Sequence, residues 1–358
     1  MKKIIFVLTC IIFVFPQIHA QKKQRIYYDK DWKVVKTKKE AEFYREVIKK
    51  SKSDTGGIVK DYFINGALQG EGNAIKLDME DDANTIWKGK LTGYYAGAIK
   101  RFENNYNDSG IAHGTHTQWY INGFKESELN YSEGKLNGVS VSYFPNGKEK
   151  SRLEYNNGVL TGPVITCEED GNCEKTVRED FKSGDDTMGW NLKMTKDEES
   201  EILAGQGLRM AKKTNKRHHR AVSWDLDMKK NFKIESSVLF SEGDNKNGFG
   251  LVFAYKDIGN LQFFYISAEG KFKTGVITNN KAKSSVWKTS EFINKGAEIN
   301  DLKIVYSGKN LEFFINNSLV QQSEFNPVTG TLAGIGLEEG AGKMQAYLIS
   351  MIVSNSLQ

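Results

Sequence analysis

Apolar and polar residues alternate with a period of two along most of this chain, in short runs broken by glycine and asparagine. That pattern predicts half-buried antiparallel strands. The clearest run is "GVSVSYFPNGKEKSRLEY", Gly138 to Tyr155, which turns back at Asn146-Gly147. Asn-Gly between alternating apolar residues is a strong hairpin signal, because glycine takes a positive φ without the steric cost other residues meet. Pro145 suits the first central position of a type I turn. The loop is therefore expected to have three residues, with Gly147 left-handed, Phe144 opposite Lys148 and Tyr143 opposite Glu149. On that register Val139, Val141, Tyr143, Leu153 and Tyr155 share one face, and Trp119, Leu129 and Tyr131 take the equivalent places one unit earlier.

The arrangement repeats. The string Gly-x-x-x-Gly occurs at Gly66, Gly89, Gly110, Gly134 and Gly158, and the last units begin at Gly114, Gly138 and Gly162, a period of 24 residues. A lone hairpin is marginally stable, so such units must stack into one long twisted sheet. In the third of these units Cys167 replaces Tyr143 and Cys173 replaces Glu149, which sets the two sulfurs across one hairpin. Opposed strand residues have Cα atoms about 4.5–5.5 Å apart, within disulfide range. A structural disulfide is expected; the alternatives are a zinc pair, which lacks its other ligands here, and a redox dithiol, which would want Cys-x-x-Cys spacing.

Residues 21–56 read as a strand and a short helix that cap the open end of the repeats. Thr37 with Glu40 makes a capping box, and Ala41, Tyr44, Val47 and Ile48 fall on one helical face. After residue 177 the 24-residue period disappears. From Gly207 onward strand-like runs recur every ten or so residues, with Phe232, Ile234, Val238 and Phe240 on one face and Lys233, Glu235 and Ser237 on the other. Even spacing and turn-rich breaks predict an antiparallel two-sheet sandwich over 178–358. The expected fold class is thus all-β: a hairpin-repeat sheet over 57–177, then a sandwich, with one short N-terminal helix.

Composition agrees, with 34 Gly, 4 Pro, 20 Phe, 15 Tyr and 6 Trp in 358 residues, a length that suits two domains. "MKKIIFVLTCIIFVFPQIHA", residues 1–20, reads as a secretory signal peptide cleaved between Ala20 and Gln21; lipidation at Cys10 is the alternative. The expectation is an exported protein of the periplasm or cell surface. No later run reaches the roughly 18 apolar residues of a membrane span. A net charge of +5 is small for this length. The basic run Lys212 to Arg220 is read as a solvated loop or lysine-guarded edge, with an acidic polymer as the other reading, and no nucleic-acid-binding motif is present.

Hairpins that begin at glycine and carry an aromatic pair, then Asn-Gly, then Gly-x-x-x-Gly, resemble MORN-variant repeats over about Gly57 to Val177. That resemblance implies scaffolding and binding, with no catalytic residues to carry over. The order "FKIE", "GFGLVF", "FFYISAEGKF", Trp287, "NDLKI", "LEFFINN" and "IGL" resembles the concanavalin A-like lectin/glucanase jelly roll, over about Val177 to Gln358. Members of that fold include sugar-binding modules, protein-binding modules and glycoside hydrolases.

Candidate chemistry follows from both. Rings that stack on apolar sugar faces are sought at Trp287, Tyr255 and Tyr265, each of which could equally be core. Catalytic acids on one strand face are represented only by Asp225 with Asp227 and by Glu338 with Glu339, without the alternating Glu-x-Asp-x-x-Glu run of the glucanases. "EGDNKNG" lacks calcium-ligand spacing and reads as a turn, and neither His113 with His116 nor His218 with His219 has a carboxylate or cysteine set beside it. No cofactor motif is found. The leading expectation is a non-enzymatic binding or scaffold protein whose partner is a glycan or a cell-envelope protein; the alternative is a glycan-active enzyme using Asp225, Asp227 or Glu338.

Overall fold

A computed structural model describes residues 23–49, 51, 53–80, 84–325, 330–340 and 342–357. The expected cleavage site at Ala20 and Gln21, and Cys10, lie outside the described residues. The regular structure of the described chain is almost entirely antiparallel strand, and the chain divides into two compact units, Met1–Asn137 and Gly138–Gln358.

In the first unit, successive strands pair in sequence order: Lys23–Tyr28, Phe43–Ile48, Gly57–Phe63, Leu68–Lys76, Ile86–Tyr94, Lys100–Tyr106, Gly114–Trp119 and Lys125–Ser132. The helix expected over Ala41 to Ile48 is absent. The capping box forms, with the Thr37 N–H donating to Glu40 Oε2 at 3.4 Å, but it secures a single 3-10 turn, Lys38–Glu40. Ala41 is already extended, and Phe43–Ile48 is a strand. The physical reason is the aromatic and β-branched content of "FYREVI". As a strand it stacks Tyr44 on Tyr62 with ring centroids 4.8 Å apart and sets Val47 beside Val59, both valines fully buried.

The repeat turns take the expected form. Gly147 has φ +82°, the Phe144 N–H donates to Lys148 O at 2.8 Å, and Tyr143 stands opposite Glu149. The residue before each turn glycine has its own job: Asn146 Oδ1 accepts the Lys148 N–H at 3.0 Å, Asn122 Oδ1 that of Phe124 at 3.1 Å, and Asp170 Oδ1 that of Asn172 at 2.9 Å. These side chains complete the turn by satisfying an N–H that the bulged ladder leaves over.

The same bulge corrects the expected face. Between Ser142 and Tyr143 the register slips by one residue, so Ser140 stands opposite Leu153 and Gly138 opposite Tyr155. A one-residue slip moves a side chain to the other face, and Val139 and Val141 therefore face away from Leu153 and Tyr155. The corresponding slip one unit earlier sets His116 opposite Leu129, with the His116 ring 4.6 Å from that of Tyr131.

Cys167 stands opposite Cys173 and the disulfide is formed, with Cα atoms 4.0 Å apart. This hairpin pairs without the slip seen in the others. For so short a loop the bond is expected to contribute about 2 kcal/mol. Cys167→Ser with Cys173→Ser should lower the urea midpoint of the second unit accordingly; unchanged midpoints, or free thiols in unreduced protein by mass spectrometry, would contradict this.

The second unit is a two-sheet sandwich. One sheet orders His218–Ser223, Leu332–Leu337, Phe249–Asp257, Asn260–Ser267, Lys271–Thr278 and Lys281–Ser284, with Lys288–Thr289 also on Lys271–Thr278. The facing sheet orders Glu198–Leu203, Gly207–Lys212, Met344–Ser356, Phe232–Gly243, Ile299–Tyr306, Asn310–Ile315 and Ser318–Glu324. Phe232, Ile234, Val238 and Phe240 point into the layer between them, as their alternation predicts. Phe181, Trp190 and Trp224 fill part of the same core. The strand Met344–Ser356 is shared: Met344 to Leu348 pair with Gly207–Lys212, and Met351 to Ser356 pair with Cys173–Glu179. The hairpins Gly138–Asn156 and Val164–Glu179 consequently group with the sandwich.

Candidate functional site

The seven-stranded sheet is unusual in being apolar on both faces. In Phe249–Asp257, Phe249, Leu251 and Phe253 enter the sandwich core, which turns Gly250 and Val252 outward. In Asn260–Ser267, Phe264 and Ile266 point inward, and Leu261, Phe263 and Tyr265 point outward. Cross-strand register then sets His219, Gly336, Gly250, Tyr265 and Lys273 in one row across the outer face. Cross-strand neighbours share a face, so the row is one continuous strip.

Glycines in this strip let the rings lie flat on the sheet. A Cβ at Gly336 would fall 2.5 Å from the Tyr265 hydroxyl and 2.7 Å from His219 Cδ2, and one at Gly275 would fall 2.4 Å from the Phe263 ring. Tyr265 thus crosses Gly336 to place its hydroxyl 3.0 Å from His219 Nε2. The Phe263 and Tyr265 rings stack at 4.6 Å. Burial holds His219 neutral, pushing its pKa down to about 3, with Arg217, His218 and Arg220 adding to the effect. Burial likewise raises the Tyr265 phenol, which stays protonated. His219 Nδ1 is buried without a hydrogen-bond partner.

The polar rim lies at one end of this floor. Lys273 Nζ sits 4.7 Å over the Trp287 ring and is ion-paired with Glu338, an arrangement in which cation–π attraction orients the indole. Glu338 Oε2 accepts the Gly248 N–H at 3.1 Å, while its own N–H donates to Gly248 O at 2.8 Å. Beneath, Lys212 is 1% exposed and its Nζ donates to Glu338 O at 2.8 Å and Gly340 O at 3.0 Å, which anchors the turn carrying the carboxylate. Burial lowers the Lys212 pKa. Chemically the rim offers an apolar indole beside one cation and one anion.

The three rings sought in the sequence, Trp287, Tyr255 and Tyr265, share this outer face. Tyr265 is 3% exposed and serves as floor, Tyr255 is half-buried with its ring 5.8 Å from His219, and Trp287 is half-buried at the rim. Sequence reasoning missed His219, Lys273 and Gly336 as parts of the face; the signal for a second buried face was the unbroken apolar run "FFYI", which leaves that strand no polar side. The solvated reading of the basic run is corrected for Lys212, His218, His219 and Arg220, all buried. A partly buried carboxylate claims two of them: Glu198 Oε2 takes His218 Nδ1 and Arg220 Nη2, each at 2.9 Å.

Asp225 and Glu338 are not brought together. Asp225 follows the strand His218–Ser223 and pairs with Lys175, whereas Glu338 follows Leu332–Leu337, which runs the opposite way. Six strand residues, a rise of about 20 Å, lie between the two positions, against the roughly 5–10 Å of paired glycosidase acids. Asp227 Oδ1 accepts the Lys229 N–H at 3.0 Å. Elsewhere, His113 pairs with Glu133 and His116 Nε2 lies 2.7 Å from Asn105 O. Among the described residues no group of three or more His, Cys, Asp or Glu could hold a metal ion, and no helix is long and apolar enough to cross a membrane.

No family model and no curated protein matches the chain. Among solved structures it is similar to a carbohydrate-binding module, CBM66, from Bacillus subtilis, at 14% identity and TM-score 0.33 over 42% of this chain and 91% of that one. It is similar to the GH43 protein BlXynB from Bacillus licheniformis, at 10% identity and TM-score 0.36 over 87% and 83%. Sheep galectin-11, solved in complex with glycerol, aligns at 14% identity and TM-score 0.29 over 38% and 96%. Likenesses this weak carry no argument about function, which rests on the chain's own geometry.

Proposed function

We propose that this is an exported, non-enzymatic binding protein that recognises a glycan through the outer face of its seven-stranded sheet, with the hairpin repeats as a further interaction surface. The carrying observation is the rim: the Trp287 indole, braced by Lys273, stands beside Glu338 on a floor of Phe263 and Tyr265. Sugars present an apolar C–H face and a ring of hydroxyls, and they are bound by an aromatic ring with neighbouring donors and acceptors. Export is supported by the N-terminal segment and by the Cys167–Cys173 bond, which suits an oxidising compartment.

A glycan array followed by calorimetry on the hit tests this reading. Trp287→Ala is expected to weaken binding about tenfold, near 1.4 kcal/mol. An empty array, or equal affinity for the variant and the parent, would sink it.

A further inference from the structure

The first unit contains a groove of about 630 Å³ on one face of its sheet. Its floor follows from register. Arg45, Asp61, Gly70, Gly93 and Phe102 stand in one row across four strand pairs, and Gly70 leaves a trough between Asp61 and the Phe102 ring. A Cβ at Gly70 would make only ordinary contacts, with Thr92 O at 3.4 Å and the Asp61 side chain at 4.0 Å. Gly93 differs, because the Phe102 ring already covers it.

Two indoles line the trough, and both are held. Trp32 comes from a loop that folds back over the sheet with φ +59°, pinned by Asp29 Oδ1, which accepts the Asp31 and Lys33 N–H groups at 2.9 and 3.0 Å. Its ring stacks on Phe43 at 4.8 Å and 9°. Trp87 is wedged against the bare backbone of Gly72, where a Cβ would lie 3.1 Å from its ring. The lining mixes signs and hydrogen-bonding types: Asp31, Glu80 and Asp61, the last already bound to Arg45 on both oxygens, with Lys33, Arg101 and Gln69. A ligand of strong net charge would meet a like charge there. A ring with apolar faces and neutral hydroxyls meets aromatic walls and both donors and acceptors.

We propose that the hairpin unit holds its own binding site for a neutral saccharide, in the groove between Trp32 and Trp87. The volume lies within the about 300–1,000 Å³ usual for small-ligand sites. This assignment is independent of the role proposed for the sandwich.

The test is calorimetric titration of the full chain with cellohexaose, laminarihexaose, xylohexaose, mannohexaose and maltohexaose, with indole emission followed in parallel. At least one should bind and shift the emission. Gly70→Leu adds a Cβ at ordinary contact distance from its neighbours and fills the groove, and should weaken that binding about tenfold or more with an unchanged far-UV circular dichroism spectrum. Trp87→Ala should weaken it similarly. Binding that survives Gly70→Leu, including binding lost only with Trp287→Ala, overturns the assignment, and so does failure of all five sugars to bind.

Discussion

Asp61→Ala is expected to destabilise the first unit by about 3–5 kcal/mol, the loss seen when one partner of a buried ion pair is removed. Arg45 is 1% exposed, and its guanidinium is matched to the Asp61 carboxylate on both sides, Nε to Oδ1 at 2.7 Å and Nη2 to Oδ2 at 2.8 Å. The Tyr28 and Trp32 rings lie 5.6 Å from it and keep water away. Removing the carboxylate takes both of these charge-assisted hydrogen bonds from a buried guanidinium, whereas removing both charges together does not. The double variant Arg45→Met with Asp61→Ala should therefore recover most of the loss. Hydrogen exchange of the Phe43–Ile48 and Gly57–Phe63 amides reads the opening of this unit directly. A loss below about 1 kcal/mol for the single variant, or no recovery in the double, would show that the pair is not what holds these strands.

Acid should weaken the sandwich through His219. Its pKa in the folded chain is about 3, below the 6.5 of an unhindered histidine. Above pH 6.5 neither state binds the proton and the group contributes nothing to the pH dependence. Between pH 6.5 and 3 the unfolded chain takes up a proton that the folded chain refuses, so stability falls by about 1.4 kcal/mol for each unit of acidification. The total approaches about 5 kcal/mol by pH 3. Other groups also titrate in this window, among them His218, whose pKa burial lowers as well. The informative quantity is consequently the difference from His219→Gln, which cannot titrate and retains a side chain able to reach the Tyr265 hydroxyl. Stability curves that converge as pH falls carry the claim; parallel curves refute it.

Both effects arise at positions that the residue pattern alone leaves obscure. The hairpins were legible because turn chemistry is local: Pro145, Asn146 and Gly147 dictate their own loop, and the loop dictates the opposition of Cys167 and Cys173. The bulge beside the turn was less so, since one slipped residue reassigns Val139 and Val141 without altering the composition of the strand. "FYREVI" was misread as helix because a capping box and a run of long side chains precede it, while its pairing partners on either side are separate in sequence. The aromatic candidates were legible as rings of a type that stacks on sugar faces, but the neutral state of His219 depends on what packs over it. Buried charges such as Lys212 and Arg220 are hardest, because a basic run looks solvated until its carbonyl and carboxylate partners, Glu338 and Glu198, arrive from distant strands.

The shared strand Met344–Ser356 also sets an order in time. Thr176 and Ser354, whose hydroxyls lie 3.0 Å apart, are separated by 178 residues. A ribosome adding about 5–20 residues per second delivers the second partner on the order of ten seconds after the first. During that wait Cys173–Glu179 is an open sheet edge, and its sequence, with Lys175, Arg178, Glu174 and Glu179, carries the charges that discourage pairing with another chain. The adjoining Cys167–Cys173 bond lies within one hairpin and needs nothing from downstream. Covalent closure of that hairpin and charge along its edge together describe a segment built to stand alone until its late neighbour is made.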